Sequence, residues 1–208
     1  MPDKKSIAIL GYSGHSFVVL DAAKKMSLDV KYYCERNQLF YNPFEINYIG
    51  DEGSDSFDWN SVDQFILGIG DNKIRQKAAN LILSKKKILL NVIHPSSIVS
   101  NYAIFGIGNF IAANVTINAL AKIGNNCILN TGCIIEHECI IENGVHIAPG
   151  VVLAGNVSVG ENSFIGANSV VIQGVKIGNG VTVGAGSVVI KDIPDNEIWV
   201  GNPAKKLK

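Results

Sequence analysis

The chain has 208 residues, enough for one domain or two small ones, and its 18 basic and 18 acidic side chains give a formal net charge of zero. This balance leaves no field of one sign for a nucleic-acid backbone, so we expect no nucleic-acid partner. Hydrophobic residues make up 47 % of the chain, too many for a disordered protein. The apolar runs are nevertheless far shorter than the ~20 residues of a membrane span. Because the first residues do not read as a secretory signal, we predict a cytoplasmic protein.

Residues 1–95 are predicted to form a small α/β domain of the Rossmann-like βαβαβ type. In chain order, the pattern predicts a strand at 6–10, a helix at 16–26, a strand ending at Cys34, a strand at 64–67, a helix after Asp71 and a strand at 87–92. Asp71 is a candidate N-cap for the second helix. The stretch at 94–97 (HPSS) breaks the pattern and marks the domain boundary.

Three of these strands end in glycine or polar residues, at 11–15, 35–36 and 70–72. In an open α/β sheet the ligand lies beyond the carboxyl ends of the strands, and a helix start suits a phosphate group. The sequence therefore indicates a site for a phosphate or diphosphate. The first loop lacks the complete G-x-G-x-x-G fingerprint, so a purely structural turn fits it equally well.

Every sixth residue from Val99 to Val189 is apolar. The sixteen positions are Val99, Phe105, Ile111, Ile117, Ile123, Leu129, Ile135, Ile141, Ile147, Leu153, Val159, Ile165, Val171, Ile177, Val183 and Val189. A period of six fits neither an α-helix nor one long strand. It is typical of a coil of very short strands, whose aliphatic residues point into a narrow interior while Gly, Asn or Asp turn the corners. We predict such a parallel β-helix, with a short C-terminal tail, over residues 96–208.

The cysteines do not indicate a metal site. Cys127, Cys133 and Cys139 follow the spacing of six, which matches no zinc pattern, and we interpret them and Cys34 as buried reduced thiols. A zinc site like that of the hexapeptide-type carbonic anhydrases needs three histidines, and only two lie inside the repeat. We therefore expect no metal.

His137 is the strongest candidate for catalysis, although a lone histidine is more often structural. Glu136 and Glu138 flank it inside an otherwise apolar repeat, at a position that need not point into the core. A carboxylate that hydrogen-bonds an imidazole fixes its tautomer and stabilises its protonated form, as a general base requires. His146 lies nine residues later, on another part of the coil. If both serve one site, a neighbouring subunit is needed to bring them together.

Several motifs together resemble one family: GYSGH at 11–15, GDNKIR at 70–75, LNTGC at 129–133, IEHEC at 135–139, AGNV at 154–157 and VGNPAK at 200–205. The chain resembles the bacterial nucleotide-sugar 4-amino N-acetyltransferases of the UDP-N-acetylbacillosamine type. These belong to the sialic acid O-acetyltransferase group of hexapeptide-repeat acyltransferases. The resemblance implies a left-handed parallel β-helix of triangular section, a homotrimer with active sites between subunits, and acetyl-CoA as co-substrate.

The resemblance also assigns individual residues. It implies that His137 is the general base and Glu138 the acid that supports it. It places acetyl-CoA at His146, Ala167 and Ala185, and the nucleotide sugar at Ser13, Gly14, His15, Glu35, Arg36, Gly70 and Asn130. Bacillosamine-type enzymes have paired aspartates where this chain has Glu35 and Arg36, so the base stays open between uracil, thymine and guanine.

The implied function is transfer of acetyl from acetyl-CoA to the 4-amino group of a nucleotide-linked 4-amino-4,6-dideoxysugar, for surface glycan or glycoprotein synthesis. A UDP-linked sugar is favoured, and no acyl-enzyme is expected because the cysteines lie at or near inward positions. Two alternatives remain open. One is O-acetylation of a sugar hydroxyl, as in the sialic acid type, and the other is a non-catalytic β-helix that only binds a sugar nucleotide.

Overall fold

The computed structural model describes residues 6–207. Its N-terminal domain is one parallel five-stranded sheet in the order β3-β2-β1-β4-β5, with one helix on each face. The elements are β1 (Ile7–Leu10), α1 (Gly14–Lys25), β2 (Val30–Cys34), β3 (Asn47–Tyr48), a 3-10 turn (Trp59–Ser61), β4 (Gln64–Leu67), α2 (Asn72–Ser84) and β5 (Ile88–Leu89). The central strand β1 is buried throughout, as its continuous apolar run requires.

The predicted elements of this domain up to the second helix are confirmed with small shifts. The first helix begins at Gly14, two residues before the predicted start, and β4 has the predicted bounds. Asp71 caps α2, because its Oδ1 accepts a hydrogen bond of 2.9 Å from the backbone N–H of Ile74. The edge strand β3 was not predicted, because two residues carry too little pattern to be recognised.

The predicted single strand at 87–92 is wrong. The segment contains two strands in different sheets: β5 pairs with β4, whereas β6 (Val92–Ile93) pairs with β9 of the C-terminal coil. The chain turns at Asn91, whose side chain donates to the Gly106 carbonyl and accepts from the N–H of Asn109, both at 2.8 Å. Both strands have buried apolar residues and Asn91 alone separates the two hydrophobic runs, so the sequence pattern does not show the change of sheet. The coil therefore begins four residues before the predicted boundary at 95/96.

The second domain is a β-helix of parallel strands whose partners lie 18 residues apart, as in Ile98 with Thr116. It has three faces, called here face B (β6, β9, β12, β15, β18, β21, β23 and β24), face C (β7, β10, β13, β16, β19 and β22) and face D (β8, β11, β14, β17 and β20). The strands are β7 (Ile98–Val99), β8 (Ile104–Phe105), β9 (Phe110–Ile111), β10 (Thr116–Ile117), β11 (Lys122–Ile123), β12 (Ile128–Leu129), β13 (Ile134–Ile135), β14 (Ile140–Ile141), β15 (His146–Ile147), β16 (Val152–Leu153), β17 (Ser158–Val159), β18 (Phe164–Ile165), β19 (Val170–Val171), β20 (Lys176–Ile177), β21 (Thr182–Val183), β22 (Val188–Val189), β23 (Ile198–Val200) and β24 (Lys205–Lys206). Only β24 runs antiparallel to its neighbour among these strands.

The period-six residues form the interior of the coil, as predicted. All of them are buried except the first two, Val99 and Phe105, which are half-buried where the coil begins. The cysteines Cys127, Cys133 and Cys139 are also buried there as free thiols, which confirms that interpretation. Gly and Asn residues with positive φ recur at the corners, with Leu120 and Glu138 as two exceptions to that residue choice.

The N-terminal domain packs against part of face B of the coil. Helix α1 lies between the sheet and β6, and its buried residues share one core cluster with the coil interior, including Phe110. On the other face of the sheet, α2 approaches the coil through Asn72, whose Nδ2 donates to the carbonyls of Asn162 and Ser163 at 3.0 and 3.1 Å. The domain interface thus fixes which corners of the coil face the carboxyl ends of the strands. In residues 6–207 there is no helix that is long and apolar enough to cross a membrane.

Candidate active site

A cavity of about 610 Å³ opens at the carboxyl ends of β1, β2 and β4, where the three strand ends were predicted to converge. Its lining includes Ser13, Glu35, Arg36 and Gly70 of the predicted nucleotide-sugar residues. Ser13 is the N-cap of α1, and its backbone N–H donates to the Ser16 hydroxyl at 2.7 Å. The start of a twelve-residue helix therefore borders the cavity, an arrangement that suits a diphosphate.

The cavity is acidic on the β2 side. Glu35 already uses one carboxylate oxygen, because Oε1 accepts the backbone N–H of Tyr12 at 2.7 Å. Two further acids that the sequence analysis did not identify, Asp51 and Glu52, also line the cavity. Burial raises the pKa of Glu52, and the nearby charges of Asp51 and Glu35 raise it further. This wall can accept hydrogen bonds from a sugar hydroxyl or a base N–H.

Three predicted residues meet at the domain interface, next to the cavity. The rings of His15 from α1 and His146 from β15 lie 6.3 Å apart, and Asn130 Nδ2 lies 3.3 Å from His146 Nε2. Nε2 of His15 is buried and has no hydrogen-bond partner in the described structure. A buried polar atom of this kind is costly unless a ligand or water meets it, so this point is a candidate contact for substrate.

Both interface histidines are held in the neutral form. Burial, followed by the nearby charge of Arg75, lowers the pKa of His15 to about 4. The same two causes, with a smaller contribution from His15, lower the pKa of His146 to about 4, although a hydrogen bond with the Gly70 backbone opposes the shift. At neutral pH each ring therefore has one N–H donor and one acceptor nitrogen, and Nε2 of His15 is the one of these atoms that is buried without a partner among the described residues, for a ligand to meet.

His137 and Glu138 form the predicted pair at the corner between faces C and D. Nδ1 of His137 lies 3.0 Å from Glu138 Oε2, and the side chains are 59 % and 57 % exposed. Glu136, the other flanking acid, points elsewhere and accepts a hydrogen bond of 2.9 Å from Asn118 Nδ2. Only one of the two neighbouring carboxylates therefore supports the imidazole, and His137 Nε2 is the nitrogen left to exchange a proton.

Two backbone features shape this corner. Gly155 lies one coil further along, under the ring of His137, and a Cβ on it would lie 2.5 Å from His137 Cε1 and 2.6 Å from Nε2. Glu138 has a φ of 61°, in the left-handed region that L side chains other than Asn and Asp rarely adopt. The equivalent corner residues in the next two coils are Asn156 and Gly174, whose types suit that backbone. Retaining Glu there costs of order 1 kcal/mol, which points to a function for the carboxylate.

The predicted acetyl-CoA residues Ala167 and Ala185 lie at the corner between faces B and C. They occupy equivalent positions in consecutive coils, and Ala167 is half-buried whereas Ala185 is exposed. The Ala167 carbonyl accepts the N–H of Gly186 at 2.8 Å, so the backbone at this corner is regular and its small side chains leave room beside it. Asn130 lies at the same corner, two coils before Ala167.

The structure brings some of these residues together and separates others. Ser13, Glu35, Arg36 and Gly70 share the cavity, and His15, Asn130 and His146 lie beside it at face B. His137 and Glu138 lie at the corner opposite face B, across the triangular section of the coil. A single chain therefore does not place His137 at its own cavity beside β1, β2 and β4.

Known proteins resemble this chain over nearly its whole length. Residues 6–82 match the PglD N-terminal domain, residues 120–155 match the bacterial transferase hexapeptide repeats, and residues 156–191 match the hexapeptide repeat of succinyl-transferase. A variant of the GDP-perosamine N-acetyltransferase of Caulobacter crescentus, solved with CoA and GDP-perosamine, is 33 % identical and superimposes with a TM-score of 0.90 over 98 % of this chain and 97 % of that one. The chain belongs to the nucleotide-sugar N-acetyltransferases.

One further structure agrees with this assignment, and a second shares the fold. The acetyltransferase domain of PglB from Neisseria gonorrhoeae FA1090, solved with acetyl coenzyme A, is 31 % identical, with a TM-score of 0.91 over 98 % of this chain and 99 % of that one. WeeI from Acinetobacter baumannii AYE is 21 % identical over 97 % of this chain and 99 % of that one, with a TM-score of 0.86, and it shows that the fold is shared.

Several residues at the candidate site of this N-acetyltransferase were not predicted from the sequence. Gly155 could have been found, because it lies 18 residues after His137 and a triangular coil of six-residue sides stacks such positions. Asp51 and Glu52 follow a short edge strand that the pattern did not predict. Arg75 was noted only as part of a motif, and a charged residue gives no sequence signal that it will be buried.

Proposed function

We propose that this chain transfers the acetyl group of acetyl-CoA to the 4-amino group of a nucleotide-linked 4-amino-4,6-dideoxysugar. The observation that carries the proposal is the His137–Glu138 pair, held at 3.0 Å on the outside of a hexapeptide-repeat coil. The cavity of about 610 Å³ in the N-terminal domain has the size for a nucleotide sugar, and its lining combines apolar surface with several charged side chains. The similar proteins solved with GDP-perosamine and with acetyl coenzyme A support this pair of substrates.

In this proposal, His137 Nε2 accepts the proton that the amine loses as its nitrogen bonds to the thioester carbonyl carbon. Glu138 holds Nδ1 and stabilises the imidazolium that results. The carbon–sulfur bond then breaks, and the departing thiolate takes the proton from His137, so no acyl-enzyme forms. Proton transfer of this kind contributes ~10²–10⁴ in rate, and positioning of the two substrates supplies much of the rest.

Because His137 and the cavity lie on opposite sides of the chain, we propose that a second subunit completes the active site. In the proposed homotrimer, the corner with His137 of one subunit meets the N-terminal domain and the corner with Ala167 and Ala185 of its neighbour. The pantetheine arm then lies along that second corner, and His146 contacts the acetyl end. Because acetyl-CoA is a cytoplasmic metabolite, the proposal places the reaction in the cytoplasm.

A thiol-release assay with acetyl-CoA and a panel of UDP-, dTDP- and GDP-linked 4-amino sugars tests the activity and identifies the base. Each amino sugar is paired with its 4-hydroxyl analogue, which separates N-acetylation from O-acetylation. His137→Ala should lower kcat by ~10²–10⁴. Near-normal turnover of that variant would exclude His137 as the base, and no thiol release with any sugar would exclude the proposed reaction.

The two neighbouring acids provide a matched pair of variants. Glu138→Gln should lower kcat because the imidazolium loses its carboxylate partner. Glu136→Gln should leave kcat close to wild type, because Glu136 is bound to Asn118 and does not contact the ring. Equal losses in both variants would contradict the assigned pairing.

Mixed oligomers test whether the site lies between subunits. His137→Ala removes the base, and Ile74→Trp fills part of the cavity from an exposed position on α2. Two differently tagged chains, each with one of these substitutions, are co-expressed and the mixed assembly is purified through both tags. Recovered activity in the mixture is expected, since some sites combine an intact cavity with an intact His137. Activity no higher than that of the separate variants would exclude an intersubunit site.

A further inference from the structure

Arg75 is a buried charged side chain that joins the two domains of one chain. It lies on α2 and is 1 % exposed. On the coil side, its Nε donates to the Asn126 carbonyl and its Nη2 donates to the Gly144 carbonyl, both at 2.8 Å. These two acceptors lie on consecutive coils at the corner between faces D and B.

The remaining N–H groups of Arg75 bind the N-terminal domain. Nη1 donates to the carbonyls of Gly70 and Ile69 at 2.9 and 3.3 Å, and Nη2 also donates to Asn72 Oδ1 at 2.9 Å. All five N–H donors of the guanidinium therefore have an acceptor. Gly70 and Ile69 belong to the loop after β4, and both line the nucleotide cavity.

None of these acceptors is a carboxylate. Within residues 6–207, the ion pairs do not include Arg75, and the neighbouring acid Asp71 caps the helix instead. A buried charge without a counter-ion is expensive for stability, and an apolar side chain of similar volume often serves packing better. The planar guanidinium instead fixes the position of the two domains relative to each other, because it binds two carbonyls on each of them.

The backbone that Arg75 binds lies next to the two interface histidines. A Cβ on Gly70 would lie 3.8 Å from His15 Cγ, so the loop held by Arg75 packs directly against the His15 side chain. His146 is the first residue of β15, two residues after Gly144, and its ring is 6.3 Å from that of His15. Arg75 thus binds the backbone beside each of the two rings. Its charge also helps to keep the pKa of both rings near 4, after the larger effect of burial.

We propose that Arg75 is a positioning residue, whose five hydrogen bonds lock the Gly70 loop to the coil so that His15 and His146 face one ligand position. This inference rests on the proposed function, because it assigns that position to the nucleotide sugar and the acetyl donor. It adds a role for a residue that contacts neither substrate: Arg75 sets the spacing between the domain that holds the sugar and the coil that holds the thioester.

The test compares Arg75→Met, Arg75→Lys and Asn72→Ala with the control Lys73→Met, an exposed cation on the same helix. Binding of UDP, dTDP and GDP is measured by calorimetry, the titration of His15 and His146 by NMR, and unfolding by thermal denaturation. None of these measurements requires turnover. Failure of the proposed reaction would show as wild-type protein that binds a nucleotide without releasing thiol, whereas failure of the inference appears only in the variants.

Arg75→Met should weaken nucleotide binding about tenfold or more and raise both histidine pKa values. Arg75→Lys should keep both histidine pKa values close to those of the wild type, because it keeps the positive charge. It should not restore nucleotide binding, because an ammonium group does not reproduce the planar fork of hydrogen bonds. Asn72→Ala removes one of the five bonds together with the two from Asn72 Nδ2 to the coil, and it leaves the fork on the four carbonyls intact. It should weaken binding by a smaller factor, which keeps the test valid if Arg75→Met does not fold. Unchanged binding and titration in folded Arg75→Met and Asn72→Ala, or equal losses in Lys73→Met, would overturn the proposal.

Discussion

Gly155→Ala is the sharpest test of how the coil positions the proposed base. The new Cβ would lie 2.5 Å from His137 Cε1, whereas ordinary contacts begin near 3.4 Å, so the ring must move by about 1 Å. A displacement of about 1 Å at a reacting group costs ~10²-fold in rate. Because φ of Gly155 is not in the left-handed region and the ring is 59 % exposed, the ring can move into solvent and the fold should tolerate the methyl group.

We therefore expect kcat of Gly155→Ala to fall about 100-fold, with little change in KM for the nucleotide sugar and in Tm. Steady-state thiol-release kinetics and thermal denaturation measure these quantities. His137→Ala and the double variant complete a cycle, and the double variant should be no slower than His137→Ala alone, because Gly155 acts only through the ring. A further loss in the double variant, or wild-type kcat in Gly155→Ala, would refute the reasoning.

Three further predictions concern other parts of the chain. Glu138→Asn should raise the free energy of unfolding by about 1 kcal/mol, because Asn suits the left-handed backbone, and it should lower kcat. The control Leu120→Asn, at the equivalent corner, should stabilise the protein without loss of kcat. Denaturant titration measures the stability and steady-state kinetics the activity of both variants. As the pH falls below 6.5, His15 and His146 take up protons in the unfolded chain before they do so in the folded chain. The free energy of unfolding should therefore fall between pH 6.5 and 4, by at most about 3 kcal/mol per ring. A double variant, His15→Gln with His146→Gln, that is equally acid-sensitive would exclude this cause. Cys133→Ala should keep the wild-type kcat, because burial raises the pKa of this thiol to about 12 and no acyl-enzyme is expected. A large loss of kcat in the folded variant would contradict direct transfer.

The fold of the second domain could be predicted from the sequence because its information is periodic and local. A coil with six-residue sides turns every sixth residue inward, so a series of apolar residues from Val99 to Val189 specifies the interior without any knowledge of partners. The N-cap at Asp71 is equally local, since a side chain and a backbone N–H three residues later form it. The pairing of His137 with an adjacent acid was predictable for the same reason.

The tertiary structure alone decided which neighbours these residues have across the coil and between the domains. Glu136 and Glu138 are equally close to His137 in sequence, and only the corner geometry directs one to the imidazole and the other to Asn118. Arg75 finds its acceptors on residues up to 69 positions away, and no pattern along the chain indicates such a contact. The placement of His137 opposite the cavity of the N-terminal domain has the same origin, because the packing of that domain on one face of the coil depends on the shapes of both surfaces.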